Sequence, residues 1–310
     1  MIEQIKLWLW NVYQAIPGAF DRDRRDTVLK LYGRFMEPFR SMGDRLAVLT
    51  TNYDVLFEYI ATHCDRPMPV CYPFDARALW VNRQNDSYLS SSGQRSLICK
   101  LHGSVNYFEA NGPPPDNANH PLDTNANTST WFGVNTERAY ENDKPEEWGG
   151  YIIACDRAPY PATVALGTLW RLQHLDRYRN HGRPIPAMIP PTYAKLHETP
   201  WLRQTWSAAM NALTHAHLLI AIGYSMPPSD GFMRAMIQGA LARRMADPAL
   251  SHRPLAVFVL DRSDGVLARY RDLFHPLAEQ GRLITRRHRF EEWDTNDDKQ
   301  FQSLLAEATK

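Results

Sequence analysis

Polar and glycine residues follow four short apolar runs of the sequence, at the point where each run ends. They are Thr51, Asn52 and Asp54, then His102 and Gly103, then Gly223, Tyr224 and Ser225, and finally Asp261. An amide beside a carboxylate offers donors and acceptors that can hold a carboxamide, a ribose hydroxyl or a water. Histidine is the usual general base near neutral pH. We therefore interpret these residues as the candidate site.

Each of these positions also has a structural interpretation. Asn52 can make a turn and Asp54 can cap the helix that follows, and a lone histidine among 11 is more often structural. Bare amides at Gly223 and Ser225 could cradle a phosphate or a ribose, but a glycine between a strand and a helix is also ordinary loop chemistry. Asp261 suits a ribose diol, a helix cap or a surface turn. The set of residues, rather than any one of them, indicates a site.

The four apolar runs alternate with helical patterns, which predicts an α/β fold with a doubly wound, mostly parallel sheet. The predicted strands are 46–50, the first part of the strand–turn–strand 97–108, 217–222 and 255–260, and the predicted helices are about 54–62, 201–215, 230–244, 264–274 and 298–308. If the four strands share one sheet, their carboxyl ends converge on one cleft. We also expect Ser229 or Asp230 to cap the helix at 230–244, so that its amino end favours an anion.

We expect a single domain over 1–310. Its first part, 1–45, is predicted to be helical, with helices at 2–16 and 26–41, and 65–96 and 109–150 are predicted to be loop-rich insertions. Long irregular insertions in a compact domain are usually lids, binding loops or partner contacts. Further short strands are predicted at 151–155, 186–189 and near 283–286.

Composition and charge exclude several functional classes. A net charge of +1, from 35 basic and 34 acidic residues, gives no global field that would attract nucleic acid or a membrane surface. No apolar run is long enough to span a bilayer and no secretory signal is present, so we expect a cytoplasmic protein. The four cysteines contain no C-x-x-C pair, so we expect no metal site and no redox dithiol. The missing G-x-G-x-x-G and P-loop motifs weaken hydride transfer and nucleotide hydrolysis.

Three motifs occur together in a fixed order. They are T-T-N-Y-D at 50–54, K-L-H-G-S at 100–104 and I-G-Y-S-M-P-P-S-D at 222–230. Together they resemble the sirtuin-like (SIR2-like) family, in particular its prokaryotic branch of NAD-consuming domains in anti-phage defence. The resemblance covers about residues 40 to 290 in outline and implies a Rossmann-like fold with an NAD site.

The resemblance also implies a role for each residue. Asn52 would position the nicotinamide ribose or the attacking water, and Asp54 would contact the nicotinamide carboxamide. His102 is similar to the family's catalytic histidine, which acts on a ribose hydroxyl or on the water. Gly223 and Ser225 match the glycine–serine turn beside the cofactor's ribose and phosphates.

The chain departs from the family pattern in three ways. Asp261 stands where sirtuins often carry an asparagine for the adenosine ribose. Sirtuin deacylases usually carry a four-cysteine zinc module, which this chain cannot build, and its absence favours NAD hydrolysis over deacylation. No glycine-rich loop precedes Leu46, so we expect either a fragment or shortened form, or a chain that lost this loop with some or all of the activity.

The sequence therefore predicts an NAD⁺ glycohydrolase that releases nicotinamide and ADP-ribose as an anti-phage effector. Two alternatives stay open: a non-catalytic module that senses NAD or ADP-ribose or serves in assembly, and a zinc-free NAD-dependent deacylase. By resemblance, we expect a homo-oligomer or a sensor, ATPase or Argonaute-like partner subunit, without direct contact to nucleic acid or membrane.

Overall fold

The chain divides into two compact units, Met1–Ala208 and Ala209–Lys310. A computed structural model describes residues 22–39, 46–54, 57–58, 61, 70–74, 76–79, 87–89, 96–113, 130–135, 185–189, 199–250, 254–294 and 296–308. The predicted helix 2–16, the predicted strand 151–155 and most of the predicted helix 54–62 lie outside the described residues. The expectation of one domain stays a prediction.

The first unit contains one described helix and eight described strands, and it ends within a second helix that continues into the second unit. The elements are α1 (Arg22–Met36), β1 (Ala47–Thr50), β2 (Val70–Cys71), β3 (Ala76–Leu79), β4 (Ser87–Leu89), β5 (Ser96–Lys100), β6 (Gly103–Asn111), β7 (Thr130–Asn135), β8 (Ile185–Met188) and α2 (Pro200–His215).

The second unit alternates strands with helices. Its elements are β9 (Leu218–Ile222), α3 (Gly231–Ala246), β10 (Ala256–Leu260), α4 (Asp264–Leu273), α5 (His275–Glu279), β11 (Leu283–Arg286) and α6 (Lys299–Ala308), with short 3-10 turns at Pro248–Leu250 and Phe290–Glu292. The predicted helices at 230–244, 264–274 and 298–308 correspond to α3, α4 and α6, with bounds that differ by one or two residues.

A three-stranded parallel sheet in the first unit has the order β1-β5-β2. β1 and β5 pair in parallel from Ala47 opposite Leu97 to Thr50 opposite Lys100. Strand β5 lies in the middle and is almost completely buried. A strand buried on both faces favours a continuous apolar run, and the lysine that ends β5 departs from that rule.

A second sheet of the first unit has five strands in the order β4-β3-β7-β6-β8 and is mixed in direction. Its strands β3, β4 and β7 fall within 65–96 and 109–150, where the sequence predicted no strand, and the assignment of these segments as loop-rich insertions stays a prediction. The physical reason for these strands is that β3 pairs with β7 far along the chain, with Arg77 opposite Gly133. Strand formation here depends on tertiary pairing, which local composition does not reveal.

The second unit holds another three-stranded parallel sheet, in the order β11-β10-β9. All five residues of β10 are buried, as the apolar and β-branched sequence AVFVL requires of a central strand. Phe258 of β10 stacks on Trp293 at 4.9 Å between ring centroids, and it meets Phe301 of α6 edge-on at the same distance. These aromatic contacts form part of the core of this unit.

The protein thus has a mixed α/β architecture with parallel sheets, as predicted. Among the residues that the structure describes, the four predicted strands form two couples of parallel neighbours. Strand β1 pairs with β5, and β9 pairs with β10. The two couples belong to separate hydrogen-bonded sheets, so one continuous sheet is not confirmed.

Candidate functional site

The carboxyl ends of β1 and β5 lie at one edge of the first parallel sheet. The backbone amide of Leu101 donates to the carbonyl of Thr50 at 2.9 Å, which extends the pairing one residue beyond β5. The turn 51–54 and His102 follow these two neighbouring ends directly. The predicted residues of the first unit therefore share the edge at which parallel sheets usually bind ligands.

The turn 51–54 is anchored in part by its tyrosine, which was not among the predicted site residues. The buried Tyr53 donates a hydrogen bond from its hydroxyl to the carbonyl of Ile189 at 2.5 Å, and its own carbonyl accepts one from Ser104 Oγ at 3.3 Å. The backbone amide of Asn52 donates to Thr50 Oγ1 at 3.0 Å, while Asn52 itself is exposed. The turn thus buries its aromatic residue and presents the amide side chain at the surface.

His102 lies against the same tyrosine. Its ring centroid is 6.0 Å from that of Tyr53, with 43° between the planes, and the residue is only 6% exposed. Its carbonyl accepts a hydrogen bond from the amide of Ile189 at 2.8 Å, which ties the turn between β5 and β6 to the end of β8. The structure therefore brings His102 next to the residue that separates Asn52 from Asp54.

The fold itself requires a glycine at position 103. Its φ is +85°, a conformation that favours glycine, and a Cβ added there would lie 2.2 Å from the carbonyl oxygen of Ala187. The backbone of β8 therefore occupies the space that a side chain at position 103 would need. A cofactor contact at Gly103 stays a prediction.

A buried ion pair contacts the turn 51–54, and the sequence did not predict this pair. Lys100 Nζ lies 3.1 Å from Glu58 Oε1, and the two side chains are 1% and 0% exposed. The same ammonium donates to the carbonyl of Asp54. Burial raises the pKa of Glu58, and the charge of Lys100 opposes that shift. The available signal was a lysine ending an otherwise apolar central strand.

The ion pair continues into a buried polar network. The Tyr72 hydroxyl donates to Glu58 Oε1 at 3.4 Å, and Asn106 Nδ2 donates to the Tyr72 hydroxyl at 2.8 Å. Burial, followed by the nearby Glu58, raises the pKa of Tyr72 well above its usual range. The hydroxyl therefore stays protonated and available as a donor to the carboxylate.

In the second unit, Gly223 begins the turn after β9 with φ +64°. Its amide donates to the carbonyl of Leu260 at 3.3 Å, and no heavy atom of the described residues lies within 4 Å of an added Cβ. Two side chains of α4 bind the next two carbonyls. The Tyr270 hydroxyl donates to the carbonyl of Tyr224 at 3.0 Å, and Arg269 Nε donates to the carbonyl of Ser225 at 2.9 Å. The turn is fixed, with open space at its glycine.

Asp230 caps α3, one of the two residues expected to do so. Its Oδ1 accepts from the amide of Met233 at 3.2 Å, and its Oδ2 accepts from the Tyr224 hydroxyl at 2.8 Å. A carboxylate at this terminus offsets the positive end of the helix. Asp230 thus already supplies a carboxylate at this terminus, and binding of a further anion there stays a prediction.

Asp261 follows β10 and makes a local turn. Its Oδ1 accepts a hydrogen bond from the amide of Ser263 at 2.8 Å, just before α4 begins. This contact matches the turn alternative that the sequence left open. Because β9 and β10 are parallel neighbours, Asp261 and the turn at 223–225 follow adjacent strand ends.

The predicted residues thus form two groups, one in each unit. Thr51, Asn52, Asp54, His102 and Gly103 follow β1 and β5, while Gly223, Tyr224, Ser225 and Asp261 follow β9 and β10. Convergence of the two groups on one ligand stays a prediction. Within the described part of the chain, no cluster of three or more His, Cys, Asp or Glu residues could hold a metal ion. The described helices include none long and apolar enough to cross a membrane.

No protein-family profile matches the chain, and no curated protein matches it significantly. The proposed roles of the site residues therefore rest on their chemistry and geometry and on the motif resemblance.

Proposed function

We propose that this chain is an NAD⁺ glycohydrolase with a Rossmann-like, doubly wound fold that acts as an anti-phage effector. The observation that carries the proposal is the edge where β1 and β5 end side by side. There an exposed amide, Asn52, and a carboxylate, Asp54, flank a tyrosine whose ring lies against His102. An amide and a carboxylate can hold the substrate and a water by hydrogen bonds, and an imidazole can accept a proton, which together would serve hydrolysis of the nicotinamide–ribose bond.

In this proposal the first group handles the nicotinamide end of the substrate. Asn52 and Asp54 hold the carboxamide, the ribose and the attacking water by hydrogen bonds, and nicotinamide leaves through a transition state with oxocarbenium character. The imidazole of His102 accepts a proton from a ribose hydroxyl or from the water that attacks C1′. Because His102 is shielded from bulk water, its electrostatic interactions there are stronger than in solution.

The second group would bind the adenosine side. Open space at Gly223 allows a ribose or phosphate to approach the backbone, and Ser225 and Asp261 offer polar groups at adjacent strand ends. Thr51, Gly103 and Tyr224 would complete the contacts to NAD⁺. We further propose that the protein works in the cytoplasm as a homo-oligomer or beside a sensor or ATPase subunit, without a zinc ion or a direct nucleic-acid contact.

A second candidate function is binding of NAD⁺ or ADP-ribose without cleavage. It is favoured by the burial of His102, which is 6% exposed and packs on Tyr53. Calorimetry with both nucleotides, beside a product assay on the same sample, separates the two functions. Binding without release of nicotinamide supports the sensor. Consumption of NAD⁺ that requires an acyl-lysine peptide would instead indicate a deacylase.

Release of nicotinamide from NAD⁺ by the purified chain tests the proposal. His102→Ala should lower turnover by about a hundred-fold or more, the usual scale for an acid–base group. Asn52→Ala should lower it by about a hundred-fold, the scale for misplacing a substrate. Asn211→Ala and His275→Ala are matched controls, since both residues are exposed and belong to the second unit. Turnover that stays at the wild-type level in both site variants would refute the proposal.

A further inference from the structure

We propose that Lys100 is a positioning residue that holds the turn 51–54 in the conformation needed to bind NAD⁺. This inference rests on the proposed function. It concerns a side chain that touches no reacting atom but donates to the backbone of the residue on which the nicotinamide contact depends.

The position of Lys100 links three parts of the first unit. It ends β5, its ammonium reaches across to the carbonyl of Asp54, and it pairs with Glu58, four residues after Asp54. One buried cation therefore joins a strand end, the candidate turn and the chain that follows the turn. We call the contacts of Lys100 with the Asp54 carbonyl and with Glu58 the tether. Since β1 and β5 are parallel neighbours, the tether lies at the edge of the sheet where Asn52 and His102 also lie.

Stability alone is a weak explanation for such a pair. Placing two charges where their side chains are 1% and 0% exposed carries a large desolvation penalty. Apolar residues of similar volume often give equal or greater stability at such positions. An apolar side chain, however, has no donor for the carbonyl of Asp54. The lysine thus supplies a contact that core packing cannot replace.

The surrounding network keeps the ammonium in place. Tyr72 donates to Glu58, and Asn106, which is fully buried, donates to Tyr72. With its carboxylate partner fixed in this way, Lys100 has little freedom to leave the Asp54 carbonyl. Networks of this kind rigidify the residues that they join.

The test compares three variants by hydrogen–deuterium exchange and by kinetics with NAD⁺. Lys100→Met combined with Glu58→Leu removes the tether and leaves no buried charge alone. Glu58→Gln removes the carboxylate but keeps the ammonium donor. Arg286→Met combined with Asp298→Leu removes an ion pair of the second unit, joined at 2.7 Å, and serves as the matched control.

We expect the Lys100→Met, Glu58→Leu variant to exchange amides of 51–54 about ten-fold faster than wild type, with the amides of β5 unchanged. The KM for NAD⁺ should rise about ten- to a hundred-fold, because a small misplacement of binding groups costs that much. Glu58→Gln leaves the ammonium buried without the carboxylate that holds it, so exchange should rise at 51–54 more than at the amides of β5. The control should keep both values.

Wild-type exchange at 51–54 in the tether-free variant, or exchange that rises equally throughout β1 and β5, would overturn the inference. If that variant does not fold, Glu58→Gln decides: exchange that rises at 51–54 more than in β5 supports the tether, and wild-type exchange at 51–54 refutes it. A wild-type chain that neither binds nor cleaves NAD⁺ contradicts the proposed function, while the exchange comparison still reports on the role of Lys100.

Discussion

Replacing Gly103 by alanine tests the packing between the turn after β5 and strand β8. The left-handed φ of +85° costs a residue with a Cβ about 1–2 kcal/mol. The added carbon would also lie 2.2 Å from the carbonyl oxygen of Ala187, so the backbone of β8 must move. Overpacking of this kind typically costs about 1–3 kcal/mol. The free energy of unfolding should therefore fall by about 2–5 kcal/mol.

Two other glycines provide matched controls for the same change. Gly223→Ala meets a φ of +64° but no described atom within 4 Å, so only the conformational cost of about 1–2 kcal/mol applies. Gly231→Ala, at the first residue of α3, meets neither obstacle and should be neutral or stabilise by up to about 1 kcal/mol. The expected order of destabilisation is therefore Gly103, Gly223, Gly231.

Urea unfolding followed by amide exchange in peptides of each unit measures this order. Unfolding must be monitored separately in each unit because the two units need not unfold together. Gly103→Ala should destabilise the first unit and leave the second unchanged. A loss at Gly103 no larger than that at Gly223 would refute the packing argument, since the contact with Ala187 would then contribute nothing.

Two further predictions concern pH and thiol chemistry. Burial tends to raise the pKa of Asp298, but hydrogen bonds from Arg286, the Phe301 amide and the Trp293 indole outweigh it and lower the pKa below 3.8. This carboxylate therefore stabilises the second unit above pH 3.8 and loses its contribution as the pH falls through the lowered pKa. The difference in unfolding free energy between wild type and Asp298→Asn should shrink over that pH range. A difference that does not vary with pH would contradict the lowered pKa of Asp298. Burial, with a smaller effect of Cys71, raises the pKa of Cys99 to about 12, so iodoacetamide at about pH 8 should alkylate Cys99 only after denaturation. Labelling of Cys99 in the native protein would show that its thiol is accessible.

The parts of the fold that the sequence predicted are those with strong local patterns. Strand β10 reads AVFVL, and its five residues are all buried, so its apolar run corresponds directly to its position at the centre of a sheet. Helix α2 repeats apolar residues at helical spacing, and its buried face includes Trp201, Leu202 and Ala209. In these elements the local preference and the tertiary environment agree.

The missed features depend on residues far apart in the chain. The role of Lys100 requires Glu58 and Asp54, which precede it by more than 40 residues, and the need for glycine at 103 comes from the backbone of Ala187. Among the predicted site residues, the sequence located the turn 51–54 and His102 correctly at neighbouring strand ends. It gave no signal that Tyr53 helps to anchor that turn by a hydrogen bond to Ile189.

The hydrogen bond from Tyr53 to Ile189 joins residues that are 136 positions apart. During synthesis on the ribosome, the turn therefore emerges long before the strand end that fastens it. Contacts of such long range form late and slow the folding of a domain. A nascent chain that stops before β8 carries all the polar residues of the first group without the carbonyl that accepts the hydrogen bond of Tyr53, so the turn 51–54 cannot complete its contacts until that strand end has been made.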